Sequence, residues 1–466
     1  MKFRDLLPSV VNLVNSSIGV GMLAMPYCFH QCGIILAMLV LVVSGFATIF
    51  ASESVLRAGL FFHCSSFEDS AYKSHGIFGK RIVGLSLIGL LFGMLVGFNV
   101  SISDMGSDVL ATIFETKPTI FYRRLFLIGT LCVVLPLCLL RRVELISLAS
   151  SVAVLIYLIF LMHLVFVCGL PKLFAGNPLK HVRWWRIDGL VHCLPVIASS
   201  LCCQVQVHVI YNSLQEQTHG NMRKALTYAV SFVISAYALA GLFGYLAFIE
   251  GEEGGESSAL AGNMLTMYPE NFVSALVRIG FLYTVTASFP LMLFPLRSAL
   301  NSLLFEEIAG DLGPINSVKE VPVRRFRLMT LLVILLSIVV SQCTDKVEVI
   351  LSYTGSLAGA IICYILPACV YLPTVSISSP NRLLAVLLLV YGLTVFVTPL
   401  FTFVGVDSPL DAAPVDQLRQ EFAAPGGLHP GVPDPAVPHR LLQIQRPVSN
   451  HPSASRNVSY LHRVLQ

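Results

Sequence analysis

Charged side chains are scarce in this sequence: Asp, Glu, Lys and Arg make up 12% of its 466 residues, where an ordinary soluble domain carries about 25%. That is too few to coat the two or three soluble domains a chain of this length would otherwise form. Tryptophan is limited to Trp184 and Trp185, and the net charge is only +4. The basic stripe with interleaved aromatics that marks nucleic-acid binding is therefore missing. Cys-x-x-Cys pairs are missing too. Cys202 and Cys203 are adjacent with no second pair, so neither a metal site nor a disulfide framework is expected. Apart from Cys64, the twelve cysteines fall in or at the ends of apolar runs and read as small packing residues.

Long apolar runs are what the sequence has in abundance. A membrane-spanning helix needs about 20 mostly apolar residues, and eleven runs qualify. They are Leu6 to Tyr27, Gly33 to Leu56, Ile82 to Phe114, Leu125 to Leu140, Val143 to Leu170, Leu190 to Tyr211, Ala225 to Ile249, Phe272 to Leu300, Phe326 to Gln342, Val347 to Tyr371 and Leu383 to Val404. The first holds Asn12 and Asn15 with no small-residue cleavage site before the next run, so it is expected to be a retained helix and not a signal peptide. The expected fold is an all-α membrane protein over residues 1–404. His63 to Lys80 is polar enough to lie outside the bilayer, as a loop or as an interfacial helix capped at Gly79.

Basic residues are retained on the cytoplasmic side of membranes. With the N-terminus placed there, that side holds sixteen Lys and Arg, among them Arg57, Arg141, Arg223 and Arg324, against nine on the other side up to the last run. A cytoplasmic N-terminus follows. An odd number of spans then puts residues 405–466 in a lumen or outside the cell. Those 62 residues hold nine of the 25 prolines and are expected to be a disordered tail. Within them Asn457-Val458-Ser459 is a glycosylation sequon, usable only on that side.

Many spans with few intramembrane charges suit a secondary transporter, whose site sits where spanning helices are interrupted. The first run reads Asn12-Leu13-Val14-Asn15-Ser16-Ser17-Ile18-Gly19-Val20-Gly21. Paired Asn, Ser and Gly are costly at membrane depth unless they meet a ligand or another helix. Unwinding at Gly19 and Gly21 would free amides for a carboxylate and carbonyls for a cation; close helix packing by small residues is the alternative. The sixth run has the same character, with Ser199-Ser200-Leu201-Cys202-Cys203-Gln204 after Pro195. Runs one and six correspond if two five-helix halves are related by an inverted repeat, with the eleventh as an extra. The eighth run supplies Thr284, Thr286 and Ser288, hydroxyls that suit a small hard cation or bond back to their own helix.

Other polar residues point to structure more than to chemistry. Asp104 and Asp108, four apart at the end of the third run, read as a solvated helix end, and Glu53 with Arg57 as an i, i+4 pair. His163, His192 and His208 could relay protons but read as packing residues. No catalytic constellation is apparent.

The stretch from Asn12 to Tyr27 resembles the first helix of the amino acid/auxin permease family, and Cys28-Phe29-His30-Gln31-Cys32-Gly33 its sodium-coupled neutral amino acid transporter branch. Cys203-Gln204-Val205-Gln206-Val207 and Pro290 to Ser298 agree. The resemblance implies eleven helices with a LeuT-like 5+5 inverted repeat plus one, and symport of a neutral amino acid such as glutamine or alanine with Na⁺. It implies sodium held by Asn15, Thr286 and Ser288. Substrate would be read by Ser16, Ser17, Gly19 and Gly21, with Ser199, Cys203 and Gln204 from the sixth run. Many relatives carry His where Gln204 stands. A proton-coupled permease and an amino-acid sensor acting through partners are the alternatives; an enzyme is not expected.

Overall fold

The computed structural model describes residues 3–116, 119–139, 144–175, 182–249, 262–268, 272–305, 322–343 and 346–403. Among them every regular element is a helix. The order is α1 (Phe3–Ser17), α2 (Gly21–Cys32), α3 (Ile34–Phe62), α4 (Phe67–Ile113), α5 (Ile120–Leu139), α6 (Glu144–His163), α7 (Leu170–Ala175), α8 (Leu190–Ser200), α9 (Val207–Ser213), α10 (His219–Phe248), α11 (Phe272–Phe305), α12 (Val323–Ser341), α13 (Val347–Thr354), α14 (Leu366–Tyr371) and α15 (Pro380–Phe403). Asn457 and the tail lie outside the described residues.

Nine of the described helical segments are long and apolar enough to cross a membrane, and α1 with α2, bent by 59° across their break, makes ten. The ninth expected run forms α12, but Arg324, Arg325 and Arg327 sit at its start, so it falls outside that set. The helices are apolar on both faces, with Phe46 69% and Leu39 52% exposed on α3 while Leu41 is fully buried. That pattern suits lipid outside and protein inside. Lipid tails are as apolar as Leu, so close packing has to hold such helices together. Small residues supply it: a side chain at Gly241 on α10 would overlap the Phe29 ring of α2, and one at Gly45 on α3 would overlap Ile234 of α10.

The expected cap at Gly79 does not form. Ser66 caps α4 instead, its hydroxyl accepting from the Asp69 amide at 3.1 Å, and the chain turns at Gly76, whose φ of 66° suits a residue without Cβ. Three π-helical segments interrupt the α-helices. Leu164–Gly169 joins α6 to α7, while Gly355–Gly359 and Ile361–Ile365 lie between α13 and α14. Such bulges often mark functional places in a helix.

Asp104 and Asp108 are not a solvated helix end. Arg123 lies 2.6 Å from Asp104, and Arg278, 1% exposed, lies 3.7 Å from Asp108. Arg278 Nε and Nη2 also donate to the carbonyls of Leu265 and Tyr268 at 3.2 and 2.9 Å, pinning the turn at Met264–Met267. Buried carbonyls stripped of a charged donor cost about 1–3 kcal/mol each. Arg278→Met is therefore expected to lower the thermal midpoint of the purified protein by several degrees, and an unchanged midpoint would show that the turn is held by something else. Glu53 is likewise more than half of a helical pair. Its carboxylate lies 3.5 Å from Arg57, 3.5 Å from His219 and 3.1 Å from Arg223, and Arg57 also donates to Tyr371 at 3.1 Å, joining α3, α10 and α14.

Candidate functional site

The first span breaks at Ile18–Val20, the Gly-containing stretch expected to unwind. Backbone bonding resumes with the tight Met22 to Gly19 and Leu23 to Val20 contacts at 3.2 and 3.0 Å. The amides of Gly19, Val20 and Gly21 have no backbone acceptor among the described residues. They sit at the N-terminus of α2, where partial positive charge accumulates, opposite the C-terminus of α1, where it is negative. The sixth span breaks at Leu201–Cys203, between α8 and a 3-10 turn at Gln204–Gln206.

The two breaks meet. A Cβ added to Gly21 would overlap the Ser200 hydroxyl, would stand 2.7 Å from Ser200 Cβ, and would come within 3.3 Å of the Tyr237 hydroxyl. Gly21 is thus the residue that lets α2 and α8 touch. Tyr237, fully buried on α10, donates to the carbonyl of Ser17 at 2.8 Å and lies 3.1 Å from that of Ser200. One phenol therefore holds the ends of both half-helices. Nothing in the sequence singled it out, because a lone Tyr in an apolar helix is unremarkable until the fold brings two carbonyls to it. At Gly19 a Cβ would stand 3.7 Å from the Phe98 ring, an ordinary contact. Phe98 in turn packs 6.3 Å from Phe289 on α11, centroid to centroid.

The remaining expected residues divide between this junction and its surroundings. Ser16 and Ser17 donate to the carbonyl of Leu13 at 2.9 and 3.1 Å, and Ser199 to that of Val196 at 3.1 Å. Such back-bonding opens the backbone locally instead of offering the hydroxyl outward. Ser199 also sits against Gly355, facing the tenth span. Cys203 pairs with Ser52 of α3 at 3.5 Å, and Gln204 accepts from the Cys203 amide at 3.0 Å while its Nε2, fully buried, has no partner among the described residues. Asn15 is buried beside the first break.

On α11 the two hydroxyls expected to act as a pair do not lie side by side. Thr286 and Ser288 are two residues apart, which turns them about 200° from one another, and Thr286 is half-buried while Ser288 is buried. Thr284 shares the buried face of Ser288, and both face the Tyr157 hydroxyl of α6. Thr284 is satisfied by the Phe281 carbonyl at 2.7 Å. The buried oxygens of Tyr157 and Ser288 lie within hydrogen-bonding reach of one another. Facing oxygens from neighbouring helices are also the kind of ligand a small hard cation takes. Tyr157 also lies near enough to Tyr237 to interact with it electrostatically. His208 lies against Gly59, and His163 stacks on Tyr268 at 5.8 Å.

Residues 5–405 match the family model described as transmembrane amino acid transporter protein. The chain is 33% identical over 443 residues to solute carrier family 38 member 10 of Rattus norvegicus and 34% identical over 420 residues to its Homo sapiens counterpart, covering 94% and 90% of this chain. It spans little more than a third of those relatives, 38% and 36% of their lengths. It is also 23% identical over 415 residues to sodium-coupled neutral amino acid symporter 2 of Danio rerio, covering 83% of this chain and 79% of that one. These names are those of transporters, not enzymes.

Proposed function

The chain belongs to the transmembrane amino acid transporter family, and we propose that it moves neutral amino acids through the membrane coupled to Na⁺, by alternating access around its two broken helices. The observation that carries this reading is the junction itself: two interrupted spans meet at Gly21 and Ser200, and the Tyr237 hydroxyl holds both ends. Freed amides at the start of α2 suit the carboxylate of a zwitterion, and carbonyls ending α1 and α8 suit its ammonium. No ionised side chain stands among the residues that form the junction, which favours a neutral amino acid, glutamine or alanine being suitable in size, over a strongly charged one. The name of the zebrafish relative supports sodium and a neutral substrate.

An inverted repeat of five plus five spans, with α15 as the extra, is supported by matching irregularities. Breaks fall in the first and sixth spans, and π segments in the fifth and tenth. The longest continuous helices, the part of α4 after the turn at Gly76 and α11, are third and eighth, and they pack on each other. On this count α12 is the ninth span, its arginines at a cytoplasmic boundary, and the N-terminus is cytoplasmic. Sodium sits near the Tyr157 and Ser288 hydroxyls, with Asn15 and Ser17 on the adjoining half-helix and Thr286 outside the coordinating face.

Losing one neutral oxygen contact costs about 0.5–1.5 kcal/mol. Ser288→Ala and Tyr157→Phe are therefore each expected to raise the sodium concentration for half-maximal uptake by about 2- to 12-fold, measured with labelled amino acid in vesicles. If the sodium dependence is unmoved in both, the cation is held elsewhere. Uptake driven as well by a pH gradient without sodium would favour proton coupling.

A further inference from the structure

Cys202 and Cys363 form a disulfide between residues 161 apart in sequence, with Cα atoms 6.2 Å apart. The expectation that the cysteines merely pack fails here, because the fold brings two distant apolar runs side by side. Cys202 lies in the break of the sixth span and Cys363 in the second π segment of the tenth. The bond therefore joins the two least regular stretches of these spans. A weaker tie runs beside it, since the Tyr364 hydroxyl donates to the carbonyl of Ala198 on α8 at 2.9 Å. Ser200, two residues before Cys202, is where α2 touches α8. Cys363 is fully buried and Cys202 half-buried, so Cys202 is the more exposed of the two.

We propose that the Cys202–Cys363 disulfide is a redox-modification site that clamps the broken sixth span to the tenth, and that a small thiol of the glutathione class opens it and releases transport. The proposal rests on the transporter reading, since a clamp matters only where these spans must shift. A thiolate attacks the Cys202 sulfur and forms a mixed disulfide. Cys363 leaves as thiolate and takes a proton. A second thiol attacks the incoming sulfur, releasing the Cys202 thiol and one molecule of the small disulfide. Two electrons pass from two small thiols to the protein, and the small disulfide reverses the step. Reduction leaves the Tyr364 bond to hold the spans, a contact that breaks and re-forms without covalent chemistry.

The test uses the full chain in proteoliposomes with reduced glutathione. Alkylation followed by mass spectrometry is expected to find the 202 and 363 peptides cross-linked before treatment and two newly alkylated cysteines after it. Initial uptake of labelled neutral amino acid is expected to rise several-fold on reduction. Cys202→Ser and Cys363→Ser are expected to transport at the reduced wild-type rate and to ignore the thiol. Absence of the cross-link under oxidising conditions overturns the proposal. So does an unchanged rate once alkylation proves both thiols free. Uptake absent from every form, reduced and Cys202→Ser included, overturns the transporter reading instead, while the mass spectrum still reports the bond.

Discussion

Gly21→Ala is expected to suppress uptake strongly, and Gly21→Ala/Ser200→Gly to restore most of it. The added methyl overlaps the Ser200 hydroxyl and stands 2.7 Å from Ser200 Cβ, closer than side-chain carbons approach. Forcing a carbon into a packed contact costs about 1–3 kcal/mol, which at about 1.4 kcal/mol per tenfold corresponds to a loss of roughly 5- to 150-fold in rate. Removing the Ser200 side chain vacates the same space, so the double substitution relieves the overlap that the single one creates. Two residues in contact should be non-additive in this way. The check is initial uptake by the single and double variants, each first shown to elute as one symmetrical species. If the single variant is folded and fully active, the half-helices do not need to meet here. If it is inactive and the double variant no better, the defect lies outside the Gly21–Ser200 contact.

Tyr237→Phe is the second large effect. The ring stays in its buried place, and only the hydroxyl that serves the carbonyls of Ser17 and Ser200 is removed. A buried acceptor left unsatisfied costs about 1–3 kcal/mol, and both acceptors here terminate half-helices. Uptake at low substrate is expected to fall by about 5- to 150-fold, with thermal stability reduced as well. A substitution that lowers stability but leaves the rate intact would assign Tyr237 to packing alone.

The fold class was legible in the sequence because lipid selects for length and apolarity, and runs such as Gly33 to Leu56 and Phe272 to Leu300 carry both. The first break was legible for the opposite reason: Asn15, Ser16, Gly19 and Gly21 are the wrong residues for a plain spanning helix. Contacts between distant spans were not legible. Tyr237 acquires a role only when Ser17 and Ser200 reach it, and Cys202 finds Cys363 across 161 residues. Likewise Thr286 and Ser288 look like neighbours along the chain, while helical rotation pairs Ser288 with Thr284 and turns both toward Tyr157. Asp104 and Asp108 looked like a solvated end because the arginines that meet them, Arg123 and Arg278, come from other helices. The π segments escaped notice because backbone irregularity inside an apolar run changes no composition.

The central claim is that the two broken helices carry a neutral amino acid driven by sodium. Its most direct test is uptake of labelled glutamine and alanine into proteoliposomes containing the purified chain, with an inward sodium gradient at equal pH on both sides. Accumulation above equilibrium that collapses when the gradient is dissipated, and that Gly21→Ala suppresses, is the predicted result. Equilibration without accumulation under the gradient, or accumulation that Gly21→Ala leaves intact, would contradict it.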